Sequence, residues 1–169
     1  KENLKMEKRD LYDEYKNKTN ETIDKGQPIP KGKYYITVIV FIQNSKNEFL
    51  IQKTSLQKGH VWSTTGGHPK AGESSLQGIV TEIKEELGLE VNSKYLKLFK
   101  TVKTEDDFVD MYYIKYDFPI KDIKIQKEEV EKVKWAKEEE IENLIKNGLF
   151  LKPHINFYKE CLNYLKNNL

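Results

Sequence analysis

Three glutamates, Glu82, Glu85 and Glu86, have the residue type and spacing of a cation site. In an α-helix, which turns by about 100° per residue, their side chains lie at relative angles of about 0°, 300° and 40°, along one edge. Like charges this close destabilise a helix by about a few tenths of a kcal/mol per pair unless a cation binds them. Carboxylate oxygens without accompanying cysteines favour Mg²⁺ or Mn²⁺ over Zn²⁺. The spacing therefore indicates either such a cation site or a solvated acidic surface.

The residues around these glutamates predict the helix that positions them. Apolar residues recur beside the acidic edge with helical spacing and should face a core: Leu76, Ile79, Val80, Ile83 and Leu87. Ser74 and Gln77 have the spacing of a capping box, which predicts that the helix begins after Ser74. Before it comes the pair Gly66-Gly67, and glycine lets the backbone approach a phosphate or a metal closely.

Gly67, Glu73 and residues 81–89 together form a specific pattern. A glycine is followed by five residues, a glutamate, seven residues and then T-E-I-K-E-E-L-G-L. This resembles the Nudix box, G-x5-E-x7-R-E-U-x-E-E-x-G-U, in which U is a bulky aliphatic residue, except that Thr81 stands where the box has arginine. Residues 10–14, 31–35 and 47–53 are similar to a branch of this MutT-like family whose layout is shared with isopentenyl-diphosphate isomerases.

The resemblance to Nudix hydrolases implies an α/β fold, namely an α/β/α sandwich with a mixed sheet between helical layers. It implies carboxylate metal ligands at Glu82, Glu85 and Glu86 and a backbone ligand at the carbonyl of Gly66. Nudix hydrolases bind Mg²⁺ (or Mn²⁺), which bridges to a substrate diphosphate and positions a water for attack on phosphorus. The resemblance thus predicts hydrolysis of a nucleoside diphosphate linked to a moiety X, with Glu85 and Glu86 as catalytic residues.

Three further residues have open roles. Glu73 occupies a position that the family usually pairs with the box arginine, and here it could approach a metal, pair with Lys70 or Lys84, or face solvent. Glu129 is our candidate general base, because the family often supplies one from outside the box, although a solvated glutamate is the alternative. His68 corresponds to a metal ligand of the isomerases and could instead be a surface or substrate-side residue.

Two alternative functions remain open at this point. Isopentenyl-diphosphate isomerases need a cysteine at the position of Gly66 and further histidines in the strand that residues 35–39 form here, and both are absent. The other alternative is a nucleotide-binding module with weak turnover or none, which the replacement of the box arginine by Thr81 motivates.

The composition describes an ordinary globular protein. Its 169 residues are 33% charged with a formal net charge of +2, too little to indicate binding to nucleic acid or to a membrane surface. We expect one domain over residues 1–169, a cytoplasmic location and a small-molecule diphosphate as partner, with a homodimer left open. Cys161 is the only cysteine, so no internal disulfide forms. Arg9 is the only arginine, so we expect phosphate contacts from lysine, backbone N–H groups or metal.

The rest of the chain predicts strands both before and after the box helix in the sequence. This helix is part of the box, which covers residues 66–89. Within an N-terminal extension over residues 1–30, a hairpin is expected from 10–14 and 21–25, with a turn at 17–20. Runs of β-branched and aromatic residues predict further strands over 34–43, 48–54, 94–103, 108–118 and 130–137. We expect 48–54 to be the antiparallel partner of 34–43. Helices are predicted over 138–146 and, with Pro153 in its first turn, over 153–168.

Overall fold

The N-terminal part of the chain forms a separate hairpin, as predicted. The computed structural model describes residues 7–168, so positions 1–6 of the predicted extension lie outside the described residues. Strands β1 (Lys8–Tyr12) and β2 (Lys18–Asp24) pair antiparallel. The turn lies at 13–17 rather than at 17–20, because Oδ1 of Asp13 accepts hydrogen bonds from the N–H groups of Tyr15 at 2.8 Å and Asn17 at 3.0 Å.

The main sheet is mixed. Its strands are β3 (Tyr35–Gln43), β4 (Phe49–Thr54), β5 (Trp62–Ser63), β6 (Gly66–Gly67), β7 (Lys97–Lys103), β8 (Asp107–Lys115) and β9 (Val130–Ala136). β3 and β8 pair in parallel over their whole lengths, and β7 pairs antiparallel with β8. The predicted strands are therefore present, with ends that differ by a few residues from the sequence pattern.

One predicted pairing is limited to the end of its strands. β4 meets β3 only at Gln43 and Phe49, and its long antiparallel partner is β9. Instead, β6 pairs with the edge of β3 where β4 was expected. In this pairing Gly66 lies opposite Ile39 and Gly67 lies opposite Val38. The two glycines thus form part of the sheet.

Three helices, α1 (Ser75–Leu87), α2 (Glu138–Lys146) and α3 (Lys152–Asn167), cover the two faces of this sheet. One core joins α1 to one face through buried residues such as Ile79, Ile83 and Val40. The other joins α2 and α3 to the opposite face, with Phe41 and Tyr158 among its members and Cys161 buried in it. The predicted α/β/α arrangement is therefore confirmed. Within residues 7–168, no helix has the length and apolar character needed to cross a membrane.

Local hydrogen bonds fix where α1 begins. The Ser74 side chain accepts a hydrogen bond from the N–H of Gln77, and the Gln77 side chain accepts one from the N–H of Ser74 at 2.8 Å, so the predicted capping box is present. The helix ends at Gly88, which adopts the left-handed conformation with φ of 69°.

A buried carboxylate ties the hairpin and the start of α1 to the sheet. Asp110 of β8 is fully buried and accepts a charge-assisted hydrogen bond of 2.7 Å from Nζ of Lys16, in the turn between β1 and β2. It also accepts hydrogen bonds of 2.6 Å from the hydroxyls of Ser75 and Thr101. Because a buried charge is tolerated only when it is paired and hydrogen-bonded, these contacts hold three elements in one arrangement.

Candidate functional site

Glu82 and Glu86 form a close pair of carboxyl groups on the side of α1 that meets β6. Glu86 is only 8% exposed, and the two carboxyl groups lie close enough to influence each other's protonation. The pKa of both groups is raised above the ordinary carboxyl value, mainly by burial; the charge of Glu86 further raises the pKa of Glu82. Two carboxylates this close cannot both ionise cheaply, so the pair binds a proton or a cation.

Glycine is required at both positions of β6. A Cβ atom on Gly67 would lie within 2.5 Å of both carboxylate oxygens of Glu82, and one on Gly66 would lie 2.7 Å from the carbonyl oxygen of Val38. The absence of a side chain at Gly67 therefore allows the carboxylate of Glu82 to approach the backbone of the sheet, and its absence at Gly66 allows β6 to pair closely with β3.

A chain of buried hydrogen bonds orients Glu86. Nε2 of Gln52, in the middle of β4, donates to Oε1 of Glu86 at 2.9 Å, and Oε1 of the same Gln52 accepts from the hydroxyl of Thr65 at 2.6 Å. Since the hydroxyl is a donor here, the amide group of Gln52 must turn its NH₂ toward Glu86. This hydrogen bond lowers the pKa of Glu86 against the effect of burial. Nothing in the sequence pattern singled out Gln52 or Thr65, because their role depends on the pairing of β4 beside α1.

Glu85 and Glu73 have other hydrogen-bond partners than this pair. Oε2 of Glu85 accepts from Nζ of Lys70 at 3.0 Å, and both side chains are well exposed. Oε1 of Glu73 accepts from the backbone N–H of Lys70 at 2.8 Å, and its Oε2 accepts from the hydroxyl of Thr81 at 2.8 Å. Glu73 is thus hydrogen-bonded to neither the Lys70 side chain nor the Lys84 side chain. Thr81 occupies the position of the box arginine and contacts Glu73 in its place.

A cavity of about 250 Å³ brings several predicted residues together. Its lining includes Gly66, His68, Glu86 and Glu129. Glu129 is half exposed, lies 3.5 Å from Nζ of Lys58, and its charge raises the pKa of Glu86. A larger cavity of about 570 Å³ lies along another side of α1, beside Glu73 and Thr81, and has none of the clustered carboxylates in its lining.

His68 is held in one tautomer at the edge of the smaller cavity. Its Nδ1 lies 3.2 Å from the carbonyl oxygen of Ile36, which can only accept, so Nδ1 of the neutral ring carries the proton. Nε2 is then a hydrogen-bond acceptor. Burial lowers the pKa of His68, and the positive charge of Arg9 lowers it further.

His154 lines the same cavity, although its sequence context gave no reason to expect it there. Its Nδ1 accepts a hydrogen bond from the N–H of Thr64 at 3.2 Å, so the neutral ring carries its proton on Nε2. Burial lowers the pKa of His154 to about 4. The docking of the first turn of α3 onto the sheet places this ring, and only the fold could reveal it.

The carboxyl oxygens of Glu82 and Glu86 are the kind of ligand that a hard divalent cation prefers. The third carboxylate of the helix edge, Glu85, accepts a hydrogen bond from Lys70 instead. In the part of the chain that the structure describes, no group of three or more acidic, histidine or cysteine side chains is arranged to enclose a metal. A metal held here would therefore draw on Glu82 and Glu86 first, and Glu85 would have to leave Lys70 to join them.

Comparisons with known proteins give a consistent result. The NUDIX domain profile matches residues 33–160. An uncharacterized Nudix hydrolase of Listeria monocytogenes is 31% identical over 166 residues, which cover 96% of this chain and 96% of that protein. Isopentenyl-diphosphate Delta-isomerase of Pectobacterium atrosepticum is 34% identical over 83 residues, 47% of this chain and 46% of the isomerase. A crystal structure from Deinococcus radiodurans has a TM-score of 0.69 at 20% identity and covers 85% of this chain and 91% of its own.

Proposed function

The chain belongs to the Nudix family, and from this premise we propose that it hydrolyses the diphosphate of a nucleoside diphosphate linked to a group X, with Mg²⁺ or Mn²⁺. Hydrolysis of pyrophosphate bonds is the activity that the family and the fold support. The metal requirement, the residues that meet it and the nature of X are the parts of this proposal that need tests.

The observation that carries the proposal is the buried pair Glu82–Glu86, whose pKa values are raised by burial. Glu82, Glu86 and the carbonyl of Gly66 would hold the metal, and Glu85 would join them on leaving Lys70. When bound, the metal polarises phosphoryl oxygens and lowers the pKa of a bound water. The hydrogen bond from Gln52 keeps Oε1 of Glu86 oriented, so that the ligand does not have to be ordered when the metal arrives.

The proton released from the attacking water needs an acceptor. As the water oxygen forms its bond to phosphorus, the bridging P–O bond breaks and the water proton passes to a carboxylate. Glu129 is our candidate, because it lines the same cavity as Glu86 and is accessible to solvent. Lys58, 3.5 Å from Glu129, would orient this carboxylate and offer a positive charge to the leaving phosphate.

The two alternatives are less well supported. An isomerase of isopentenyl diphosphate would need a cysteine where this chain has Gly66, and a Cβ atom there would meet the carbonyl of Val38. A binding module without turnover was motivated by the missing box arginine. Thr81 nevertheless satisfies Glu73 with a hydrogen bond, so the loss of the arginine leaves no orphaned carboxylate at the helix.

The test is release of products from a panel of nucleoside diphosphate derivatives, measured with Mg²⁺, with Mn²⁺ and with chelator. We expect a metal-dependent product in the wild type and a loss of at least about 100-fold in Glu86→Gln. Glu90→Gln is the matched control, because Glu90 is an exposed residue just after the same helix and its ion-pair partner among residues 7–168 is Lys84. Equal turnover by Glu86→Gln and wild type would exclude the proposed role of the carboxylate pair.

A further inference from the structure

Arg9, the only arginine in the chain, lies outside the smaller cavity and is connected to it through the rings of Tyr35 and His68. It belongs to β1, and its Cζ lies 5.5 Å from the ring centroid of Tyr35. The Tyr35 ring in turn meets the ring of His68 edge-on, with centroids 5.1 Å apart. We propose that Arg9 binds a phosphate group that the substrate carries on X, beyond the diphosphate that is cleaved. This inference rests on the proposed function and adds a class of substrate to it.

The guanidinium of Arg9 lacks the partner that such a group normally has. Among residues 7–168, no carboxylate oxygen lies within ion-pair distance of Arg9, and its Nε is buried without a hydrogen-bond partner. A buried N–H without an acceptor costs free energy. Because Nε is covered by protein atoms, a ligand would have to bind the terminal nitrogens of the guanidinium.

Three acidic residues around Arg9 are engaged elsewhere. Asp10 lies 3.2 Å from Nζ of Lys18 and accepts from the N–H of Gly72. Glu73 is held by Thr81, as described above. Asp107 accepts a hydrogen bond of 2.6 Å from the hydroxyl of Thr37. Their existing contacts leave the positive charge of Arg9 available to a ligand.

Arg9 lies beside Tyr35, at one end of β3. This position indicates that Arg9 binds a second phosphate rather than the diphosphate that is cleaved. Alternate residues of a strand face the same side, so Ile39, Thr37 and Tyr35 form a row. Ile39 pairs with Gly66 at the carboxylate end of the cavity, and Arg9 covers Tyr35 at the other end of the row. Four residues of strand span about 13 Å, which is longer than a diphosphate. A diphosphate held beside Gly66 would therefore not extend along the whole row to Tyr35, and a phosphate on X would occupy the far end of the row.

Arginine is suited to this ligand. Its planar guanidinium donates in a fork that matches two phosphate oxygens, and stacking on an aromatic ring limits its orientations. The ring of Tyr35 therefore pre-orders the side chain. The sequence had led us to expect phosphate contacts from lysine, backbone or metal only, because nothing in it indicated that the hairpin would place Arg9 against the box.

A single arginine makes the test direct. In protein labelled with ¹⁵N, the Nε–H of Arg9 gives the one arginine side-chain resonance, so its response needs no assignment by mutation. The titration uses inorganic phosphate with chelator present, because without a metal ion the pair Glu82–Glu86 offers no positive charge to phosphate and cannot produce the signal. We expect a saturable shift, whereas sodium chloride at matched ionic strength should cause little.

The variant Arg9→Gln then measures the contribution to binding. Followed through the backbone resonances of Tyr35 and His68, its affinity for phosphate should fall roughly tenfold, the loss expected for a charge-assisted hydrogen bond. Lys8→Gln removes the same charge one residue away, from a lysine that is exposed and paired with Asp24, and should stay within about twofold of the wild type. An Arg9 resonance that phosphate does not move, or that the chloride control moves equally, would overturn the inference.

Measurements of turnover distinguish a failure of this inference from a failure of the proposed function. If the wild type hydrolyses members of the substrate panel, Arg9→Gln should raise KM for those with a phosphate on X and leave the others unchanged. An equal KM effect on both kinds of substrate would contradict the role of Arg9 while leaving the hydrolase intact. A wild type that hydrolyses nothing would count against the proposed function, and the phosphate titration would still decide the role of Arg9.

Discussion

The hydroxyl of Thr81 donates a hydrogen bond of 2.8 Å to Oε2 of Glu73. These are the two box positions at which the family pattern pairs arginine with glutamate. The shorter, neutral side chain keeps the contact but brings no positive charge. The backbone N–H of Lys70 holds the other oxygen of Glu73, so the loop before α1 stays attached to the helix without an arginine.

Removing this contact should loosen α1 from the loop before it. We expect Thr81→Val to lower the free energy of unfolding by about 1 kcal/mol, the usual net value of one hydrogen bond. Thr81→Ser keeps the hydroxyl and should lose less than half of that. Urea denaturation of both variants measures the difference, and a Thr81→Val protein as stable as the wild type would show that the hydrogen bond contributes nothing.

Stability without metal should depend on pH through Glu82 and Glu86. The pKa of Glu82 is raised from 4.5 to about 8, mainly by burial. The folded protein therefore retains protons that the unfolded chain has already released, and stability falls as pH rises from about 4.5 to about 8. Thermal unfolding with chelator should show this fall. The Glu82→Gln variant should flatten it, and Mg²⁺ should reverse part of it; a rise in melting temperature over this range would contradict the assignment.

Gly67 should tolerate no side chain. The Cβ atom of Gly67→Ala would overlap the carboxylate of Glu82, so either the strand or the glutamate must move. We expect a loss of about 1–3 kcal/mol in stability, as for other overpacked sites, and at least a tenfold weaker affinity for Mn²⁺. Gly72→Ala is a useful control, because a Cβ atom there meets no atom within 4 Å, although its φ of 94° adds strain. Calorimetry with Mn²⁺ distinguishes the two variants.

Thr65 should affect the affinity for metal indirectly, because it orients Gln52, which in turn orients Glu86. In Thr65→Val the Gln52 amide oxygen loses its hydrogen bond inside the protein, which costs about 1–3 kcal/mol, and the amide is free to turn its oxygen toward Glu86. Affinity for Mn²⁺ should fall by roughly 10-fold or more, the lower end of the range for partners that orient ligands. Thr65→Ser should restore it, and a Thr65→Val protein with unchanged affinity would rule out the relay.

The ion pair of Lys16 with Asp110 should matter more than the pairs at the surface. Lys16→Met leaves the fully buried Asp110 with hydroxyl donors alone, and we expect a loss of about 3 kcal/mol. Lys18→Met removes a half-exposed lysine from the same hairpin and should cost less than about 1 kcal/mol. Chemical denaturation of the two variants gives the comparison, and equal losses would show that burial of Asp110 adds nothing.

Local signals in the sequence predicted much of the fold. The capping box of α1, the helix over Glu138–Lys146 and the strand at Tyr35–Gln43 depend on residues close together in the chain, and they occur where expected. Pairing partners were harder to predict: β4 pairs with β9, far along the chain, because β6 occupies the edge of β3.

The site was predictable only as far as its motif extends. The spacing of Glu82 and Glu86 indicated their common edge, yet their raised pKa values follow from burial, which spacing does not reveal. Gln52, Thr65 and His154 carry no motif, and the sheet and α3 alone bring them to the cavity. The metal ligands, the general base and the role of His68 stay predictions.

The parallel pairing of β3 with β8 also constrains how the protein acquires its structure. Tyr35 faces Asp107 and Gln43 faces Lys115, so each pair is 72 residues apart (107 − 35 = 115 − 43). Closing so long a loop is entropically costly, and domains dominated by such distant contacts fold slowly. The box helix lies inside this loop and packs on the sheet that closes it. A nascent chain that has emerged from the ribosome only as far as Leu89 therefore contains every residue of the box but lacks β8, the long parallel partner of β3.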